Sequence, residues 1–148
     1  MQNKSHDTVS FDSLISASVQ DVWKAWTDPD LILKWFGSDP DGEGLKATMD
    51  VRPLGTYEIQ FRNSNLDEHT CSGVYAVVEE CRQLAFSWEW KSEPGVESFV
   101  TVLFVPEGEY TRMYFEHAHV GNKSLHNYTD GWQGAFSKLE RLLNPKEY

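Results

Sequence analysis

His117 and His119 stand two residues apart in a stretch where Met113, Phe115 and His117 alternate with Arg112, Tyr114 and Glu116. Side chains two apart on a strand share a face, so the pair is spaced as metal ligands can be. A third nitrogen, oxygen or sulfur donor is missing from the pattern, and no metal site is assigned. Cys71 and Cys81 carry no CxxC and no paired Cys/His spacing, so neither a structural zinc nor a redox motif is signalled. Both are read as buried, inert, reduced thiols. A nucleophilic centre needs Ser, His and a carboxylate, or Cys and His, brought together, and there is no GxSxG elbow to announce one. No catalytic residue and no cofactor are therefore assigned. His117 keeps one other use: on an apolar face near the rim of a cavity it could hydrogen-bond a ligand carbonyl or act as an acid or base. The plainer reading is an imidazole satisfied by backbone.

The aromatic residues are the larger signal, with six Trp, six Tyr and eight Phe in 148 residues. Tyr57, Ile59 and Phe61 alternate with Glu58, Gln60 and Arg62, the mark of a half-buried strand. Leu84, Phe86, Trp88 and Trp90 share one strand face, as do Val100, Val102 and Phe104. Leu45, Ala47 and Met49 form a weaker alternation. These faces converge on one interior, and a single helical stripe must cover it. Ligand sites are concave and aromatic-rich, with a few polar groups. The candidate ligand-contacting residues are thus Tyr57, Ile59 and Phe61; Phe86, Trp88 and Trp90; and Val102, Met113, Phe115 and His117. Trp35 and Met49 join them from the flanking segments, and Trp132 and Phe136 from the last helix. The bland alternative is ordinary core, in which the same rings fill the interior. A buried indole N–H needs an acceptor, so one of Trp35, Trp88, Trp90 and Trp132 can be expected to offer its donor to a ligand; periodicity does not say which.

The elements that position these residues follow from changes of period. Thr8 to Ile15 alternates as a first strand. Val19, Val22, Trp23 and Trp26 then fall at helical spacing behind a Ser18 cap, with Asp21 in the first turn. Asp28-Pro29 ends that helix and starts a short second one through Leu31 and Leu33 towards Trp35. Gly37 to Gly44 reads as a loop, strand follows strand from Leu45 to about Val120, and Pro106-Glu107-Gly108-Glu109 reads as a hairpin loop between two of them. Tyr128, Trp132, Ala135, Phe136, Leu139, Leu142 and Leu143 mark the apolar stripe of a long last helix, stopped by Asn144-Pro145. The expected class is α+β: a curved antiparallel sheet of about six or seven strands around a long C-terminal helix, in one domain spanning 1–148.

The formal net charge of −10, from 13 basic and 23 acidic residues, argues against nucleic acid and against an anionic membrane surface. No stretch reaches the ~18 apolar residues of a membrane span. The opening Met1 to Asp7 is polar and lacks a signal peptide's apolar run, so a cytoplasmic location is expected.

The order of elements resembles the helix-grip fold of the START-like, or SRPBCC, superfamily, which includes the birch-pollen allergen group. Within it the chain is most similar to the domain related to the C-terminal part of the heat-shock chaperone ATPase activator. The matching words are Val19-x-x-Val22-Trp23-x-x-Trp26-Thr27-Asp28-Pro29, Asp50-Val51-Arg52-Pro53-Leu54-Gly55-x-Tyr57 and Leu84-x-Phe86-Ser87-Trp88. Thr111-Arg112-Met113-x-Phe115-x-His117 and Gly131-Trp132-x-x-x-Phe136-x-x-Leu139 complete them. Their order and spacing together are specific, although no single word is. One departure stands out: the family usually has Gly-Gly where this chain has Leu54-Gly55. The resemblance implies a helix-grip fold, and for function a range of lipid carriers, hormone binders, cyclases and chaperone cofactors. Binding of a small hydrophobic or amphipathic molecule is expected first. A co-chaperone-like interaction module is the alternative, weakened because the chain lacks the preceding domain that eukaryotic activators carry. A cyclase- or hydrolase-type enzyme using His117 comes last. Superfamily sheets often pair at an edge, which makes a homodimer possible.

Overall fold

The computed structural model describes residues 8–120 and 127–144. Two of the sequence expectations, the polar opening Met1 to Asp7 and the stop at Pro145, fall outside them.

Strand β1 (Thr8–Ile15) leads into helix α1 (Val19–Thr27) and helix α2 (Pro29–Ile32). Six more strands follow: β2 (Glu43–Met49), β3 (Thr56–Arg62), β4 (Glu68–Glu79), β5 (Gln83–Trp90), β6 (Glu97–Glu107) and β7 (Tyr110–Ala118). Helix α3 (Tyr128–Leu143) closes the order. All seven strands form one antiparallel sheet in the order β1-β7-β6-β5-β4-β3-β2, so the first strand returns to pair with the last. This is the expected α+β, helix-grip architecture.

Local chemistry explains the helix boundaries. The Ser18 hydroxyl accepts from the Asp21 amide at 3.2 Å, satisfying one of the orphan donors of α1. Asp28 accepts from the amides of Asp30 and Leu31, and Pro29 takes the first position of α2, where its missing N–H costs nothing. The second helix is shorter than its apolar pattern suggested. It ends at Ile32, and the Trp35 indole turns back to donate to the Ala25 carbonyl at 2.9 Å. That bond and the edge-on contact of Trp26 with Trp35 (4.8 Å between centroids, 70°) tie the segment after α2 to α1.

Strand limits differ from expectation at two places. Leu45 interrupts the β2–β3 register, which resumes at Gly44 and carries β2 back to Glu43. Pro106 and Glu107 lie within β6 rather than in its hairpin loop. Pairing of β6 with β5 stops at Leu103, so Pro106 has no ladder bond to donate on that side.

The alternating faces point as their periods require. Tyr57, Ile59 and Phe61 of β3, Leu84, Phe86, Trp88 and Trp90 of β5, and Met113, Phe115 and His117 of β7 are all buried. Trp26, 1% exposed, sits at the centre among Trp35, Phe86, Phe115, Trp132 and Phe136. From α3 the stripe Tyr128, Trp132, Ala135, Phe136 and Leu139 packs inward, leaving Leu142 and Leu143 half-buried.

Candidate functional site

One end of this core is not filled. Trp88 and Trp90, two apart on β5, share a face with Phe61 of β3 beside them. The first two turns of α3 lie opposite, bringing Tyr128, Gly131, Trp132 and Ala135. The segment after α2 supplies Phe36, Gly37 and Ser38, and β4 supplies His69. Between them is a cavity of about 240 Å³, with Asn127 and Asp130 also on its wall.

The wall formed by residues 36–39 is held from two sides. Lys138 of α3 donates to the carbonyls of Phe36 (3.3 Å) and Asp39 (2.9 Å). Burial pushes its ammonium pKa down, and the Asp39 charge acts against that. A Cβ on Gly134 would stand 2.3 Å from the Ser38 carbonyl, so only glycine lets the helix approach this closely. On the other side the Asp39 carboxylate accepts from the amide and hydroxyl of Ser64, both at 2.8 Å. The Ser64 and Asp41 amides hold its pKa below the usual value. Gly37, at φ +99°, lets the chain turn against the Phe61 ring, which a Cβ would meet at 2.8 Å.

Three indoles wall the cavity, and their N–H groups differ. Trp132 donates to His117 Nδ1 at 2.9 Å, and Trp90 donates to the Tyr128 hydroxyl at 2.9 Å. The Trp88 N–H is buried and has no acceptor among the described residues. An indole only donates, so His117 Nδ1 must be its unprotonated nitrogen, and the imidazole proton resides on Nε2. There it donates to Ser98 Oγ at 2.6 Å. Burial pushes the His117 pKa down to about 3, which keeps the ring neutral. A Ser–His contact thus exists, but with the proton on the nitrogen that faces the serine. His117 cannot take the Ser98 proton in this tautomer, so Ser98 is not an activated nucleophile.

The expected site residues divide among several places. Phe61, Trp88, Trp90 and Trp132 meet at the cavity. Tyr57, Ile59 and Phe86 surround a separate void of about 10 Å³, at the lower limit for one water. Trp35, Val102, Met113, Phe115 and Phe136 are packed within the core away from the wall, and Met49 is half-buried at its margin. His117 lies behind the wall rather than at a rim, satisfied by two side chains instead of backbone. His119 does not share its face: it lies beyond β7 at φ 63° with an exposed side chain. Among the described residues no three His, Cys, Asp or Glu side chains gather as a metal site. Cys71 is buried, which pushes its thiol pKa well up and leaves it unreactive, whereas Cys81 is only partly covered. Phe36, His69, Gly131 and the residues around Gly37 were not anticipated. Tyr128 and Ala135 stood on the helical stripe without being singled out.

A seven-stranded sheet gripping a C-terminal helix, with two short helices after the first strand, defines a helix-grip protein. The chain belongs to the family described as Activator of Hsp90 ATPase homolog 1-like protein, which matches residues 16–144. A solved structure from Nitrosomonas europaea is similar at TM-score 0.81 and 21% identity, covering 97% of each chain. The AHSA1-like protein from Aeromonas hydrophila gives TM-score 0.78 and 21% identity over 95% of this chain and 94% of its own. CalU16 from Micromonospora echinospora gives TM-score 0.70 and 26% identity over 95% of this chain and 78% of its own. No curated protein matches the chain. No helix among the described residues is long and apolar enough to cross a membrane.

Proposed function

We propose that the chain binds one small, mostly apolar molecule in the cavity between β5 and the start of α3, without chemistry. The observation that carries this reading is the cavity itself: about 240 Å³ left open among rings in a core otherwise closely packed. It falls below the ~300–1,000 Å³ of drug-sized sites, so the guest is small. The reading gives His117 no catalytic part, because both its nitrogens are engaged and its proton faces Ser98.

Gly131 provides the test. It lines the cavity within α3, and a Cβ there would meet only Ser38 Cβ, at 3.9 Å. Gly131→Leu fills the space while improving helix propensity by roughly 0.5–1 kcal/mol. Native mass spectrometry of protein purified from its own host is expected to show a stoichiometric apolar compound. The variant is expected to lose it while melting no lower. Retention of the compound by Gly131→Leu would remove the cavity from the account, as would a failure of both host extract and an apolar panel to bind.

The family description favours a second reading, a co-chaperone that stimulates a chaperone ATPase. Stimulation of the host chaperone's ATPase that survives Gly131→Leu would place the function on the outer surface instead.

A further inference from the structure

Trp88, Trp90 and Trp132 are neighbours in the cavity wall, yet only two of them spend their N–H on the protein. The Trp132 donor is held by His117, and the Trp90 donor by Tyr128. Outside the wall, the Trp35 donor is held by the Ala25 carbonyl, while the Trp26 donor, at the centre of the core and away from the cavity, has no acceptor among the described residues either. Trp88 is 3% exposed and its nitrogen has no acceptor among the described residues. A buried donor left without a partner costs about 1–3 kcal/mol. Its ring is fixed by contacts with Phe36, Trp90 and Trp132 at centroid distances of 5.7, 5.2 and 5.3 Å, so the donor is pre-oriented.

We propose that the guest is a small uncharged aromatic molecule carrying one hydrogen-bond acceptor, and that Trp88 recognises that acceptor. The inference rests on the cavity reading above. Aromatic faces on both sides favour a flat guest, stacked or edge-on. The volume limits it to about one ring with a short substituent. Among the described residues no Lys or Arg stands on the wall, so this part of the wall offers an anion no counter-charge. The one carboxylate among the described wall residues, Asp130, already accepts from the Asn127 side chain at 3.0 Å. The Trp88 nitrogen is closed to water, so the wall must give slightly around the guest before an acceptor reaches it.

Acetophenone and ethylbenzene have nearly the same shape and differ by the carbonyl, which makes them the probes. Titration calorimetry on the whole chain and on Trp88→Phe separates the donor from the cavity. Trp88→Phe is expected to weaken acetophenone about tenfold and ethylbenzene less than threefold, the value of one hydrogen bond. In the wild type, the Trp88 indole proton is expected to move downfield with acetophenone and not with ethylbenzene. That NMR reading holds even should the variant fold poorly. Equal weakening of both probes, or no indole shift, would leave the cavity reading standing and overturn the role of Trp88. Tighter binding of benzoate or benzyltrimethylammonium would overturn the uncharged class. Binding of no probe at all would overturn this inference, and the cavity reading falls with it only where the host extract and the apolar panel fail as well.

Discussion

Leu54 occupies the left-handed region, at φ 71°, with its side chain 81% exposed. Its amide donates to the Tyr75 carbonyl at 2.8 Å, and the next residue, Gly55, both donates to Arg52 and accepts from Tyr75. The turn between β2 and β3 is therefore fixed by bonds to β4, and Leu54 adopts a conformation its Cβ disfavours by roughly 1–2 kcal/mol. A glycine at this position would relieve that strain. The exposed side chain gives up little on removal. Glycine costs some unfolded-chain entropy, about 0.5–1 kcal/mol, so the two effects partly cancel. Leu54→Gly is expected to raise stability by about 0.5–1 kcal/mol, read as a higher urea midpoint with unchanged slope. A lower midpoint would mean that the leucine makes a contact worth more than its strain.

Helix α3 and the segment 36–39 act as one element across a hundred residues of chain. Lys138 is the fastener, because a single ammonium serves two carbonyls of that segment. Lys138→Met keeps the aliphatic stem and removes the donors. The expected cost is about 1–3 kcal/mol in stability, with faster hydrogen exchange at the amides of residues 37–39 and weaker ligand binding. Unchanged exchange there would show that Gly134 packing alone holds the wall. The same element shows where sequence reading stops. Period-two and helical spacing sufficed to place Phe61, Trp88, Trp90 and Trp132 on one interior, since each lies within a regular element. Phe36 and Ser38 lie in a turn, where no period fixes direction; their place depends on a carbonyl meeting a glycine 96 positions later in the chain. Phe86, Phe115 and Phe136 fit the same pattern as the wall residues. They became core because neighbouring rings reach them, and that depends on packing rather than on pattern. His117 was read onto the correct face, but its two side-chain partners come from β6 and α3, which strand alternation does not reveal.

At the scale of the molecule, one buried imidazole couples stability to pH. His117 is 0% exposed, and burial lowers its pKa from 6.5 to about 3. Below 6.5 the unfolded chain takes up a proton at this position that the folded chain refuses until about pH 3. The unfolded state then binds more protons, so stability rises with pH through this window and is fully present only above 6.5. Between pH 7 and 5 the loss amounts to about 2 kcal/mol, a large part of a typical 5–15 kcal/mol. Ordinary carboxylates titrate lower, near pH 4, and contribute little in that interval. The urea midpoint of the wild type is therefore expected to fall on going from pH 7 to 5. His117→Gln begins from a lower midpoint at pH 7, having lost its bonds to Ser98 and Trp132, but is expected to change little over the same interval. In the folded wild type, the ring signals of His117 should stay constant from pH 7 to 5 when followed by NMR. An equal fall in the variant, or titration of the His117 ring near pH 6, would move the pH dependence to other groups. Because His117 holds Trp132 in the cavity wall, acid unfolding and loss of the guest are expected to follow the same pH profile.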